Sequence, residues 1–354
     1  KQKGYLPENF IIKAGRTAFT HVKKYGLQPS DIFVIPAAAG GPKWITLYGL
    51  DQYLVSEWFS KLDHQLHLIG ASAGAWRMLC YCLPDSGAAL DRYLKYYIEQ
   101  RYTTWPGPDE VSSELSHIIH QIIADATYAD VESAAHKKLY VINSRSKSLH
   151  SEGRRLKQTL VRAGLANLIS RKALFRHFER IIHHTQSSIS PVVLDDGMKT
   201  EYKLMTQQTF LSSLYATGSI PALCHPVVMD DNLHYWDGGI TDYHIALQYD
   251  TPGLVLYPHF SNTIKPGWFD KHLSWRRASA AVTDKMILIH PSKAFIRSLP
   301  DQKIPDRKDF EIYFGRDDVR ISRWYEVASA SEVMAAEFKS LYESGNLINE
   351  IEPL

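Results

Sequence analysis

The sequence predicts an α/β fold: a three-layer α/β/α sandwich built on a mostly parallel sheet. Three observations carry this. Short apolar strand candidates alternate with helical segments along the chain, and two strand, glycine turn, helix units follow one another directly, at 32–59 and 66–82. With 45% hydrophobic and 22% charged residues, the chain also has the balance of a protein that buries a sizeable core.

Taken in order, residues 10–25 read as a helix, 26–30 as a turn and 32–35 as an apolar strand, after which a glycine-rich turn opens a helix over 44–59. The second unit has a strand at 66–69, a tight turn at 70–74 and a helix at 75–82. Further strands are expected at 139–143, 192–194, 227–229, 233–236, 253–257 and 286–289, and 321–344 reads as a closing helix. Two helical insertions interrupt the rhythm. Residues 84–138 are rich in Tyr and His and break at Trp105-Pro106-Gly107-Pro108. Residues 153–184 are basic, with Glu179 the one acid. Within them Val161, Leu165, Leu168, Phe175, Phe178 and Ile182 fall on one helical stripe, which reads either as the buried side of a surface helix or as a segment lying on an anionic membrane.

Forty basic and 38 acidic residues leave a formal charge of +2, a balance that argues against a dedicated nucleic-acid binder. Three cysteines at 80, 82 and 224 have neither disulfide-framework nor zinc spacing and read as reduced thiols. No apolar run reaches the ~18 residues of a membrane span. Residues 1–10 carry no signal-peptide pattern, so a cytoplasmic location is expected, with peripheral membrane contact through 153–184.

The turn after the second strand is Gly70-Ala71-Ser72-Ala73-Gly74, a G-x-S-x-G in the strand-to-helix context that exposes a nucleophilic serine. The same small residues also suit a close helix-on-strand turn. A serine hydroxyl needs a base to take its proton and N–H groups to receive the oxyanion. Ala38-Ala39-Gly40-Gly41-Pro42-Lys43 offers such N–H groups where a strand gives way to a helix. Sixteen histidines offer bases, but no spacing selects one. Asp237, in Tyr235-Trp236-Asp237-Gly238-Gly239, reads either as a general base beside paired glycines or as a hairpin turn. Asp195-Asp196-Gly197 lacks the second glycine.

Together these pieces resemble the patatin-like phospholipase family, serine acyl hydrolases with a Ser-Asp dyad. The resemblance covers roughly 32–247 and rests on four ordered motifs. These are the glycine-rich loop at 38–43, the elbow at 70–74, Ala216-Thr217-Gly218-Ser219-Ile220-Pro221 with Pro226 beyond, and Asp237-Gly238-Gly239. It implies Ser72 as nucleophile, Asp237 as its base, and the N–H groups of Gly40 and Gly41 as oxyanion donors. Two departures stand out: where the family begins its loop with an acidic residue and three glycines this chain has Ala38 and Ala39 before Gly40, and Trp44 follows the basic residue where the family has glycine. Ala73, after the nucleophile, adds a candidate donor, and Lys43 is either a substrate-binding cation or an ion-pair partner.

The resemblance implies a lipid or ester substrate, an acyl-enzyme, and chemistry that requires no metal or cofactor. Because residues 72 and 237 must converge, 1–354 reads as a single catalytic domain with insertions near 84–138 and 153–184 and a C-terminal extension near 255–354. Two alternatives remain open. One is a patatin-like scaffold that binds lipid without turnover; the other is an α/β hydrolase whose triad uses a late histidine such as His259 or His290.

Overall fold

The computed structural model describes residues 8–147, 153–185 and 190–354; residues 1–7, which carry most of the stretch read for a signal peptide, lie outside them. The strands are β1 Phe10–Ala14, β2 Ile32–Ala37, β3 Leu66–Ala71, β4 Lys137–Ser146, β5 Phe178–His184, β6 Val192–Val193 and β7 Thr200–Leu204. They continue with β8 Val227–Val228, β9 His234–Trp236, β10 Gln248–Tyr249, β11 Leu254–Pro258, β12 Met286–Pro291 and β13 Glu352–Pro353. One 11-stranded sheet runs in the order β13-β1-β12-β11-β2-β3-β4-β5-β7, with β9 also on β4 and β8 on β9. Its centre, β12 through β4, is parallel; β1 joins β12, and β5 and β9 join β4, antiparallel.

Alternation along the central strands divides the core in two, because successive side chains leave a strand on opposite faces. Leu66, Leu68, Leu139, Val141, Leu254, Leu256, Ile287 and Ile289 pack under a helical layer that includes Ala73–Cys82, Ser86–Ile98, Pro108–Ile123 and Asp317–Glu343. Ile69, Ala71, Tyr140, Ile142, Val255, Tyr257, Met286 and Leu288 face the other way, onto Tyr243, Ile245, Leu247, Phe260 and Ile264. The mostly parallel, helix-flanked sheet is thus as expected, and so is the 227–236 hairpin.

Several local expectations are corrected. Residues 10–25 are not one helix: β1 precedes a helix at Arg16–Tyr25. Gly15 turns the chain so close to the short helix Ala280–Thr283 that a Cβ there would sit 1.7 Å from the Thr283 carbonyl oxygen. The helix expected over 44–59 is built of a 3₁₀ stretch Gly41–Leu47, an α-helical turn Tyr48–Tyr53 and a π-helical turn Leu54–Trp58. The basic segment is helical only over Gly153–Ile169 and Arg171–Leu174, after which it becomes β5. Pairing with β4 overrides the helical period there. The buried Arg180 of β5 is held at 2.7 and 2.8 Å by the Asp242 carboxylate, and at 2.6 Å by Asp196, the aspartate of the second D-G sequence.

The apolar stripe of this segment therefore divides. Phe175, Phe178 and Ile182 are buried, whereas Val161, Leu165 and Leu168 are 61%, 58% and 52% exposed. Leu156, Leu160, Ala163 and Asn167 form the inward face instead.

Candidate active site

β3 ends at Ala71, and the chain reverses at Ser72 into the helix Ala73–Cys82. Ser72 has φ 53° and ψ −132°, a left-handed conformation that costs an L-residue roughly 1–3 kcal/mol. The flanking glycines make it attainable. A Cβ on Gly70 would lie 2.5 Å from the Ala75 nitrogen, and one on Gly74 2.1 Å from the Ala37 carbonyl oxygen, so only hydrogen fits between this helix and its strands.

Thr217, on the helix Thr209–Gly218, pins the turn from outside. Its hydroxyl accepts a hydrogen bond from the Ser72 backbone N–H at 2.8 Å and donates to the Ile142 carbonyl of β4 at 2.7 Å. The sequence placed Thr217 in a matched segment without giving it a role. Its hydroxyl is what that segment contributes to the elbow.

Asp237 arrives on β9, which pairs antiparallel with β4. Immediately beyond it the backbone crosses so near β4 that a Gly238 Cβ would lie 2.0 Å from the Ile142 oxygen. The Asp237 N–H donates to the Ser219 carbonyl at 2.8 Å, and Oδ1 accepts from the Gly239 N–H at 2.7 Å. The other carboxylate oxygen, Oδ2, accepts a hydrogen bond from Ser72 Oγ at 2.7 Å. Residues 165 positions apart in sequence thus meet through their side chains. Burial pushes the Asp237 carboxyl above its ordinary value, while the charge of Arg307 and the bonds from Ser72 and Gly239 oppose that rise.

The Gly40 N–H makes no hydrogen bond among the described residues. Gly41 and Ala73 each open a helical segment, where the first N–H groups have no partner within the helix. Gly41 has φ 58°, which favours glycine. Trp44, at the departure from the family pattern, stacks on Tyr93 at 4.0 Å, and the Tyr93 hydroxyl donates to the Ala73 carbonyl at 3.1 Å. The tryptophan is therefore part of the packing beneath the elbow.

Lys43 is not brought to Asp237. It lies over the Phe260 ring at 5.2 Å and lines a cavity with His244, Lys265 and Lys271. Burial, reinforced by Lys271, lowers its amine to about 8. His259 and His290 are buried away from the serine: His259 Nε2 lies 3.1 Å from His244 Nδ1, and His290 bonds the Pro291 carbonyl. A cavity of 260 Å³ beside Asp237 is walled by Leu160, Ile220, Leu223, Tyr243 and Phe269, with Arg307 at its edge. Nothing in the sequence singled out Arg307, which lies among Asp306, Lys308 and Asp309 in a stretch without a motif.

A family model described as patatin-like phospholipase matches residues 53–247, more than half of the chain. The chain belongs to the patatin-like phospholipase family. Both Ser72 and Asp237 fall within the matched residues, whereas the Gly40–Gly41 loop and Arg307 fall outside them. Among solved structures, human GIVD cytosolic phospholipase A2 is similar to this patatin-like chain at 12% identity and a TM-score of 0.33, over 94% of this chain and 63% of that one. The chain therefore spans less than two thirds of that protein's length. No curated protein matches it. Among the described residues no helix is long and apolar enough to cross a membrane.

Proposed function

We propose that this protein is a serine acyl hydrolase that cleaves carboxylic ester bonds of lipids through a Ser72-Asp237 dyad, within one catalytic domain. The observation that carries this reading is the 2.7 Å hydrogen bond from Ser72 Oγ to the buried Asp237 carboxylate. Asp237 accepts the hydroxyl proton as Ser72 Oγ attacks the ester carbonyl, and its raised proton affinity suits that role. The oxyanion is received by the N–H groups of Gly40, Gly41 and Ala73, and as the tetrahedral species collapses Asp237 passes its proton to the leaving alkoxide, which departs as the alcohol. Water then attacks the acyl-enzyme with Asp237 again holding the proton, which releases the acid and restores Ser72.

A fluorophosphonate probe, with a short-chain p-nitrophenyl ester and a phospholipid as substrates, tests this. Labelling is expected at Ser72 and absent in Ser72→Ala, and Asp237→Asn lowers kcat by about 10²–10⁴-fold. Undiminished hydrolysis by Ser72→Ala overturns the reading.

The exposed face of Gly153–Ile169 supports peripheral lipid contact beside this site. Val161, Leu165, Leu168 and Ile169 project outward along with Arg154 and Lys157, while Leu160 of the same helix lines the cavity that holds Asp237. Vesicle sedimentation is expected to weaken on Leu165→Asp with Ile169→Asp, and to be stronger on anionic than on neutral vesicles.

A further inference from the structure

Trp44 stands where the family has glycine, and its side chain is 1% exposed. Its ring stacks on Tyr93, in the helix Ser86–Ile98, with 4.0 Å between centroids and 6° between planes. Tyr97, one turn further along that helix, meets the indole in a T-shaped contact at 6.0 Å and 84°. The indole N–H is buried and has no hydrogen-bond partner among the described residues, so packing of the ring, not hydrogen bonding, holds this side chain.

At one end of the stack lies the glycine loop. Ala39 is fixed just before it, since its N–H donates to the Tyr243 carbonyl at 2.8 Å, and Trp44 follows within the same 3₁₀ stretch as Gly41. Gly40 and Gly41 sit between these two anchors. The Tyr97 hydroxyl also lies 3.5 Å from the place a Gly41 Cβ would occupy. At the other end lies the elbow. The Tyr93 hydroxyl donates at 3.1 Å to the carbonyl of Ala73, the first residue of the helix Ala73–Cys82, and the Tyr93 ring meets Trp76 of that helix at 6.0 Å and 75°. Close-packed interiors transmit displacements instead of absorbing them. A shift of the glycine loop relative to the elbow would therefore have to break the Trp44–Tyr93 stack. A glycine at 44 would leave the face of Tyr93 uncovered and the backbone beside the loop freer.

We propose that Trp44 and Tyr93 are positioning residues that fix the Gly40 and Gly41 N–H groups relative to the Ala73 N–H, so that the three converge on one oxyanion. This rests on the hydrolase reading above. Neither side chain touches the reacting atoms; each acts through the backbone at its own end of the stack. The geometry of such donors matters because a misplacement of about 1 Å costs about 10²-fold in rate.

Hydrolysis of a short-chain p-nitrophenyl ester tests this, with kcat counted per serine labelled by a fluorophosphonate so that loss of folded protein does not enter. Tyr93→Phe keeps the stack and removes the hydroxyl on Ala73. It is expected to lower kcat about 5- to 10-fold with KM little changed. Trp44→Leu keeps apolar bulk and removes the stacked face, and is expected to lower kcat about 10- to 100-fold, again with little change in KM. Trp44→Phe restores a flat ring and is expected to recover most of that loss. With a trifluoromethyl ketone, Ser72 Oγ bonds to the carbonyl carbon, its proton passes to Asp237 and the carbonyl oxygen takes the negative charge. Affinity for this ketone is expected to fall in step with kcat.

Unchanged kcat per labelled serine in either Tyr93→Phe or Trp44→Leu overturns the proposal. A kcat in Trp44→Phe as low as in Trp44→Leu does so too, since the stacked ring would then not be what matters. Where Trp44→Leu fails to fold, Tyr93→Phe decides. Wild-type protein that is neither labelled nor active removes the hydrolase reading and the proposal with it, whereas an active wild type with unaffected variants removes the proposal alone.

Discussion

Asp51 and Asp237 are both buried, yet they are held in opposite ways. Asp51 lies under the helical layer with its carboxylate gripped by Arg77 Nε and Nη2, each at 2.8 Å, and by the Tyr81 hydroxyl at 2.9 Å. Asp237 is held by the Ser72 hydroxyl and the Gly239 N–H and makes no ion pair among the described residues. A carboxylate clamped to a fixed cation is taken up by that ion pair. One held by hydrogen bonds alone can exchange a proton with the hydroxyl that bonds it. The contrast separates a carboxylate that ties two helices together from one that, on the proposed reading, takes part in the chemistry.

The sharpest way to break the contrast is to remove the clamped partner. Asp51→Ala leaves Arg77 charged and buried without compensation, at a cost of about 3–5 kcal/mol in urea unfolding. Arg77→Met added to Asp51→Ala is expected to recover part of that loss, since the orphaned charge goes with it. A cost within about 0.5 kcal/mol, the range of a surface substitution, means that the pair does not hold the helical layer.

How much of this was legible in the sequence follows from where the information lies. The elbow was readable because a positive φ at Ser72 and the close approaches at Gly70 and Gly74 constrain residues within five positions. The parallel centre of the sheet was readable because β2, β3, β11 and β12 are short apolar runs, broken only by His67 and His290. β1 and β5 were not, since Phe10-Ile11-Ile12 and Phe178 to His184 also satisfy a helical period and only pairing with β12 and β4 decides them. Arg307 was wholly illegible. Its side chain lies against a glycine loop more than 260 positions away, and no local spacing records such a contact.

A finer test addresses how the Ser72-Asp237 pair is positioned. Thr217→Val removes the hydroxyl that joins the Ser72 N–H to the Ile142 carbonyl and leaves a buried N–H without a partner. The expected cost is about 1–3 kcal/mol in the urea midpoint, with kcat falling and KM little changed. Thr217→Ser restores the hydroxyl and is expected to recover most of both. Recovery of stability without kcat would show that the hydroxyl braces the helix and not the elbow.

The last test bears on Asp237 itself. Burial raises its carboxyl in the folded protein, so between the ordinary aspartate value of about 3.9 and the raised folded value the folded state binds more protons than the unfolded chain. Its contribution to stability is therefore fully present below that window and is lost as pH rises through it. Asp237→Asn has no such slope. The thermal midpoint of the variant minus that of the wild type should accordingly climb across the window and level off above it. The kcat of the wild type should rise over the same interval as the carboxylate becomes free to accept the Ser72 proton. A midpoint difference that stays flat with pH means that Asp237 titrates alike in both states. Its burial would then not set it apart, and the distinction between the two carboxylates would rest on hydrogen-bond geometry alone.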